Sequence, residues 1–63
     1  MTDIKSMTLP EITEALRAMG EPSFRGKQVF TWLHRGVTDF DQMINIPKPL
    51  REKLRREYTI TVP

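Results

Sequence analysis

The sequence predicts an all-α fold, a small bundle of three main helices with one short helical turn and a strand-like tail. Three observations carry the prediction. Apolar residues recur at three- and four-residue intervals in three stretches, a glycine follows each of the first two, and the alternating, β-branched segment YTITV stands at residues 58–62. With 63 residues there is room for one domain, and a chain of that size buries only about 60% of the surface its unfolded form exposes. The core must therefore be thin.

Residues 1–7 show no periodicity and are expected to be a flexible lead-in, with Ile4 and Met7 able to rest on the body. Residues 8–57 form the helical domain. Its first helix begins at Thr8, because Glu11 stands three residues on. At that spacing hydroxyl and carboxylate each accept from a backbone N–H left free at a helix start, and Pro10 fits the first turn. Leu9, Ile12, Ala15, Leu16 and Met19 make the apolar stripe, and Gly20 supplies the stop.

The second helix starts near Ser23 or Phe24. Either Ser23 caps it, or Phe24 sits just outside and packs on Val29 as a hydrophobic staple. Gly26, Val29, Phe30, Trp32 and Leu33 share one side; Lys27, Gln28, Thr31, His34 and Arg35 share the other. Glycine inside a helix costs about 1 kcal/mol relative to alanine, so Gly26 calls for close approach by a neighbouring helix. Gly36 ends this helix. Thr38 and Asp41 then stand at the capping-box interval, and Phe40, Met43 and Ile44 anchor a helical turn. Pro47 and Pro49 confine the next residues to an extended link or a first helical turn. A third helix runs to about Glu57, with Leu50, Leu54 and Tyr58 inward and Ile46 at its start.

The expected core is thus Leu16, Phe24, Val29, Trp32, Leu33, Phe40, Met43, Leu50 and Leu54. No other segment reads as a strand partner for YTITV, and a lone strand has no hydrogen-bond partners. Residues 58–63 are accordingly expected to begin a linker or strand leading into a further domain.

Chemistry is thinly represented. There is no cysteine and one histidine, which excludes disulfides and any zinc or iron–sulfur site built from this segment alone. His34 has no second residue at ligand or triad spacing, the carboxylates form no acid/base pair on a shared apolar face, and no glycine-rich phosphate loop occurs. No catalytic, cofactor-binding or metal residue is expected. The N-terminus has no apolar signal core and no run approaches the roughly 18 apolar residues of a membrane span. A monomeric, cytoplasmic segment without a membrane partner is the expectation.

Ten Lys and Arg against eight Asp and Glu leave a net charge of +2, so placement rather than amount decides. Lys48, Arg51 and Arg55 fall at intervals of three and four and form one stripe on the third helix. Arg56 can pair with Glu52 and Lys53 with Glu57, and with both glutamates so engaged the stripe residues are expected to have no such partner. It is either a solvated face or a phosphate contact. Lys27, His34 and Arg35 add positive charge to the outer side of the second helix. Arg25 projects to the edge of the apolar side, where it can stack on Trp32 or pair with a carboxylate.

From Leu16 to Leu54 the chain resembles the N-terminal accessory domain of the RlmN/Cfr family, radical S-adenosylmethionine methyltransferases that modify adenine in RNA. The matching residues are Gly20 and Glu21 before Phe24 and Arg25, then Lys27, Gln28, Trp32, Gly36, Val37, Phe40 and Met43, and the LR…L pattern within Lys48 to Leu54. Gly26 stands where relatives commonly carry alanine. The resemblance implies a helix-hairpin-helix-like domain placed before a radical-SAM barrel and used to engage RNA. The parent would methylate C2 of an adenine in 23S rRNA and, in many members, in tRNA, using S-adenosylmethionine, a [4Fe-4S] cluster and two further cysteines. None of those cysteines is in this segment. The implied partners are RNA and the parent's own catalytic domain, and the RNA-binding candidates are Lys48, Arg51 and Arg55, with Lys27 and Arg35 second. The rival expectation is a structural module that docks on its own catalytic barrel without touching RNA.

Overall fold

Local capping rules set most element ends in the computed structural model, which describes residues 1–62. Helix α1 (Leu9–Ala18) opens on the expected box. The Thr8 hydroxyl accepts from the Glu11 N–H at 3.3 Å, and the Glu11 carboxylate accepts from the Thr8 N–H at 2.8 Å. It closes through Gly20 at φ 86°, with the Glu21 N–H donating to Leu16 C=O at 3.0 Å and the Gly20 N–H to Arg17 C=O at 2.9 Å. Both bonds satisfy carbonyls that the helix end would otherwise leave free. Helix α2 (Ser23–His34) ends the same way at Gly36, φ 85°. It starts at Ser23, within the expected range, but by neither expected capping arrangement. Pro22, extended at φ −64° and ψ 155°, holds the cap position without a side-chain bond, so Ser23 is already helical.

Helices α1 and α2 pack face to face, and Gly26 is where they meet. A Cβ placed on Gly26 would stand 2.7 Å from the Thr13 Cα, so only glycine lets the two backbones come this close. The turn Phe40–Gln42 is capped one residue later than the sequence suggests. Asp39 accepts from the Asp41 N–H at 2.9 Å, and the Gln42 amide oxygen accepts from the Asp39 N–H at 3.1 Å. Reaching back to the cap takes a side chain of glutamine length; aspartate at position 41 is too short. Helix α3 (Lys48–Glu57) follows Pro47, with Pro49 in its first turn.

The two ends of the chain correct the sequence reading most. Strand β1 (Thr2–Asp3) pairs in parallel with β2 (Tyr58–Thr59), Thr2 opposite Tyr58 and Asp3 opposite Thr59. A partner for YTITV therefore lies within this chain. The Thr61 N–H donates to the Asp3 carboxylate at 3.2 Å and the Lys5 ammonium to the Thr61 carbonyl at 3.3 Å, extending the clasp. Residues 1–7 thus supply a strand, a 3₁₀ turn (Ile4–Ser6) and the core residue Ile4, 1% exposed, in place of a flexible lead-in. Of residues 58–63, Pro63 lies outside the described residues.

The core is Ile4, Ile12, Leu16, Val29, Leu33, Val37, Phe40, Met43, Ile46, Leu50 and Leu54. Trp32 packs on its margin, half-buried. Phe24, expected inside, is 53% exposed. As the second residue of α2 it turns outward, away from Val29; a staple would place Phe24 before the cap and start the helix at Gly26, three residues later than the observed Ser23. No helix among the described residues is long and apolar enough to cross a membrane.

Candidate nucleic-acid interface

The outward side of α2 is built from two rows at helical spacing, Phe24–Gln28–Trp32 and Lys27–Thr31–Arg35. Together with Asn45 they line a groove of about 320 Å³. Each wall is held in place. The Trp32 indole N–H donates to Asn45 Oδ1 at 2.6 Å, the Arg35 guanidinium lies 5.1 Å from the Trp32 ring, and the Thr31 hydroxyl donates to the Lys27 carbonyl at 2.8 Å. Arg25 stands 4.9 Å from the Phe24 ring, donates to Gln28 Oε1 at 2.9 Å and comes within 3.6 Å of the Glu21 carboxylate. Arg25 is therefore a brace for Phe24 and Gln28, and the cation on the indole is Arg35 instead. Among the described residues lining the groove there are two cations and no carboxylate.

Helix α3 places its candidates differently. Arg55 meets Asp41 at 2.9 Å and Asp39 at 3.4 Å, while Arg51 donates to the Asp41 carbonyl at 3.1 Å. The expectation that this stripe is without partners is corrected: two of its three members fasten the Phe40–Gln42 turn to α3. The partners were hidden because they lie 10 to 16 residues away in sequence. Conversely, neither Glu52–Arg56 nor Lys53–Glu57 closes to ion-pair distance among the described residues. Lys48 stays exposed at the start of the helix. His34 lies against Phe30, ring centroids 4.3 Å apart, and no group of three or more His, Asp or Glu converges among the described residues.

The Arg55 guanidinium holds the Asp41 carboxyl below the usual carboxylate range, and the Thr8 backbone N–H does the same for Glu11. A depressed native pKa means that the unfolded state binds protons first on acidification. The stability these groups contribute is complete above the ordinary carboxylate pKa of about 4 and is lost as pH falls through the lower native value. The thermal midpoint should therefore fall below about pH 4, and less steeply in Asp41→Asn. Melting curves from pH 7 to pH 2 measure this; superimposable acid limbs for the two proteins would contradict the Arg55–Asp41 contact.

Lys27 and Arg35 were on the sequence's list of candidates and come together at this groove; Phe24, Gln28, Thr31 and Asn45 were not. The spacing of 24, 27, 28, 31 and 35 was a readable signal once the helix start is known. Asn45 had none, since it reaches Trp32 across 13 residues of intervening chain.

Fold and surface together define a class, a small helical module with a basic, aromatic outer face. The chain belongs to the family described as the ribosomal RNA large subunit methyltransferase N-terminal domain, whose model matches residues 2–60. It is 51% identical over 59 residues to the probable dual-specificity RNA methyltransferase RlmN of Alkaliphilus oremlandii, covering 94% of this chain and 17% of that protein. It is 40% identical over 63 residues to the protein of the same description from Clostridium beijerinckii, covering 100% and 18%. With the dual-specificity RNA methyltransferase RlmN of Acidiphilium cryptum the identity is 44% over 62 residues, covering 97% and 16%. The chain thus spans about a sixth of the length of these curated relatives.

Proposed function

We propose that this chain is the RNA-engaging accessory domain of a larger radical S-adenosylmethionine methyltransferase acting on C2 of adenine in 23S rRNA and tRNA, and that the α2 groove is where RNA phosphates meet it. The observation that carries the reading is the groove itself, with Lys27 and Arg35 beside two aromatic rings and no carboxylate on its lining. Aromatic rings interleaved with cations suit single-stranded nucleic acid. The names of the relatives, RNA methyltransferases, supply the class of partner. Transfer of the methyl group falls to the rest of such a protein. A [4Fe-4S] cluster needs thiolate ligands and this chain has no cysteine, so its residues do not fit that group.

A second reading, docking on the parent's catalytic domain, is favoured by Ile44, which is 79% exposed beside the Phe40–Gln42 turn. Salt dependence separates the two. Each phosphate neutralised on a single strand contributes a slope of about −0.7 to log affinity against log salt. With a tRNA anticodon stem-loop as the probe, Lys27→Ala combined with Arg35→Ala should weaken binding and make the slope shallower by about 1 to 2, with the thermal midpoint near wild type. An unchanged slope and affinity would overturn the assignment of the groove, and no salt-dependent binding by the unaltered chain would overturn RNA engagement itself.

A further inference from the structure

We propose, resting on the RNA-engaging reading, that the α2 groove takes one unstacked nucleotide of a single strand or loop, its base against Phe24 and Trp32, its phosphate at Lys27 and Arg35, and acceptors on the base edge toward the amides of Gln28 and Asn45. Size is the first argument. A groove of about 320 Å³ is at the small end of ligand pockets, which run from about 300 to 1,000 Å³, and so admits one base with its phosphate. In a duplex the ring faces are stacked away, so only an extruded or single-stranded base offers a face to an aromatic wall.

Hydrogen-bond polarity is the second argument. The Asn45 carbonyl oxygen is taken by the Trp32 indole and the Gln28 carbonyl oxygen by Arg25, which leaves an NH₂ donor free on each amide. Lys27 and Arg35 carry donors only. Thr31 spends its proton on the Lys27 carbonyl and keeps only acceptor capacity. Four of the five polar residues around the groove therefore present donors. Phosphate oxygens and the ring nitrogens and carbonyls of bases satisfy such a wall. A peptide segment brings one backbone N–H for each carbonyl, and those N–H groups find few acceptors on such a wall. The third argument is Phe24, an aromatic ring 53% exposed at the groove with the Arg25 guanidinium 4.9 Å from its centre.

Trp32 is the sole tryptophan, so its emission reports on the groove directly. The probes are a five-nucleotide single-stranded RNA, the same oligonucleotide without bases, and a short RNA duplex. The single strand should quench Trp32. The abasic strand should bind about 5- to 150-fold more weakly and without quenching, the range expected for loss of one stacked base. The duplex should quench little. Phe24→Ala should lower affinity for the single strand over the same range, leave the abasic strand unaffected and melt at the wild-type temperature. Quenching and affinity equal for the abasic and natural strands, or unaffected by Phe24→Ala, would overturn the nucleotide subsite while salt-dependent binding kept RNA engagement in place. Binding without any quenching would equally overturn it and leave the groove to a protein partner.

Discussion

Leu54→Ala is expected to lower the thermal midpoint by roughly 10 to 40 °C and to leave much of the chain unfolded at 37 °C. Leu54 is 0% exposed, and α3 enters the core through Leu50 and Leu54 while its remaining side chains are mostly charged. Truncating a buried leucine costs about 2 to 5 kcal/mol, because the lost transfer energy is joined by the cavity left behind. The whole domain, at roughly 0.05 to 0.15 kcal/mol per residue, is stable by only about 3 to 9 kcal/mol. One side chain therefore accounts for a large share. Each kcal/mol moves the midpoint of a 60- to 100-residue domain by about 4 to 8 °C. Lys53→Ala, on the exposed side of the same helix, should stay within about 0.5 kcal/mol of wild type. Circular dichroism melts and urea titrations measure both. A Leu54→Ala protein within about 1 kcal/mol of wild type would mean that α3 is not docked as described.

Gly26→Val is expected to cost about 3 kcal/mol, against the local preference of the helix. Valine is a slightly better helix former than glycine, so propensity alone favours the substitution by a few tenths of a kcal/mol. The added carbon, however, meets the Thr13 Cα at 2.7 Å, and a backbone atom yields only if the whole of α1 moves. Overpacking of this kind typically costs about 1 to 3 kcal/mol, and the branched side chain puts valine at the upper end. The same urea titration tests it, and a neutral or stabilising Gly26→Val would show that α1 and α2 stand further apart than this.

What could be read from the sequence was whatever depends on neighbours in the chain. Thr8 with Glu11, and Gly20 and Gly36 as stops, act through backbone groups three to five residues away, and each works as its spacing implied. Gly26 was legible as an anomaly inside a helix. Contacts between distant segments were not legible: Thr2 and Asp3 have no alternation to mark them as a strand, and Arg55 finds Asp39 and Asp41 only once the chain has folded back. The candidate site divides along the same line. Lys27 and Arg35 follow from helical projection. The outward turn of Phe24 depends on Pro22 taking the cap position and making Ser23 the first helical residue, and Asn45 enters through a single hydrogen bond to the indole. The resemblance carried by Leu16 to Leu54 identified the family without singling out the α2 groove.

The most direct measurement is an NMR titration of the isotopically labelled chain with a tRNA anticodon stem-loop. Engagement through the α2 groove predicts that the largest shifts fall on Lys27, Gln28, Thr31, Arg35, Asn45 and the Trp32 indole N–H, shrinking as salt is raised, with Arg51 and Arg55 nearly unmoved. Shifts concentrated on α3 or around Ile44, or no shifts at any salt concentration, would contradict it.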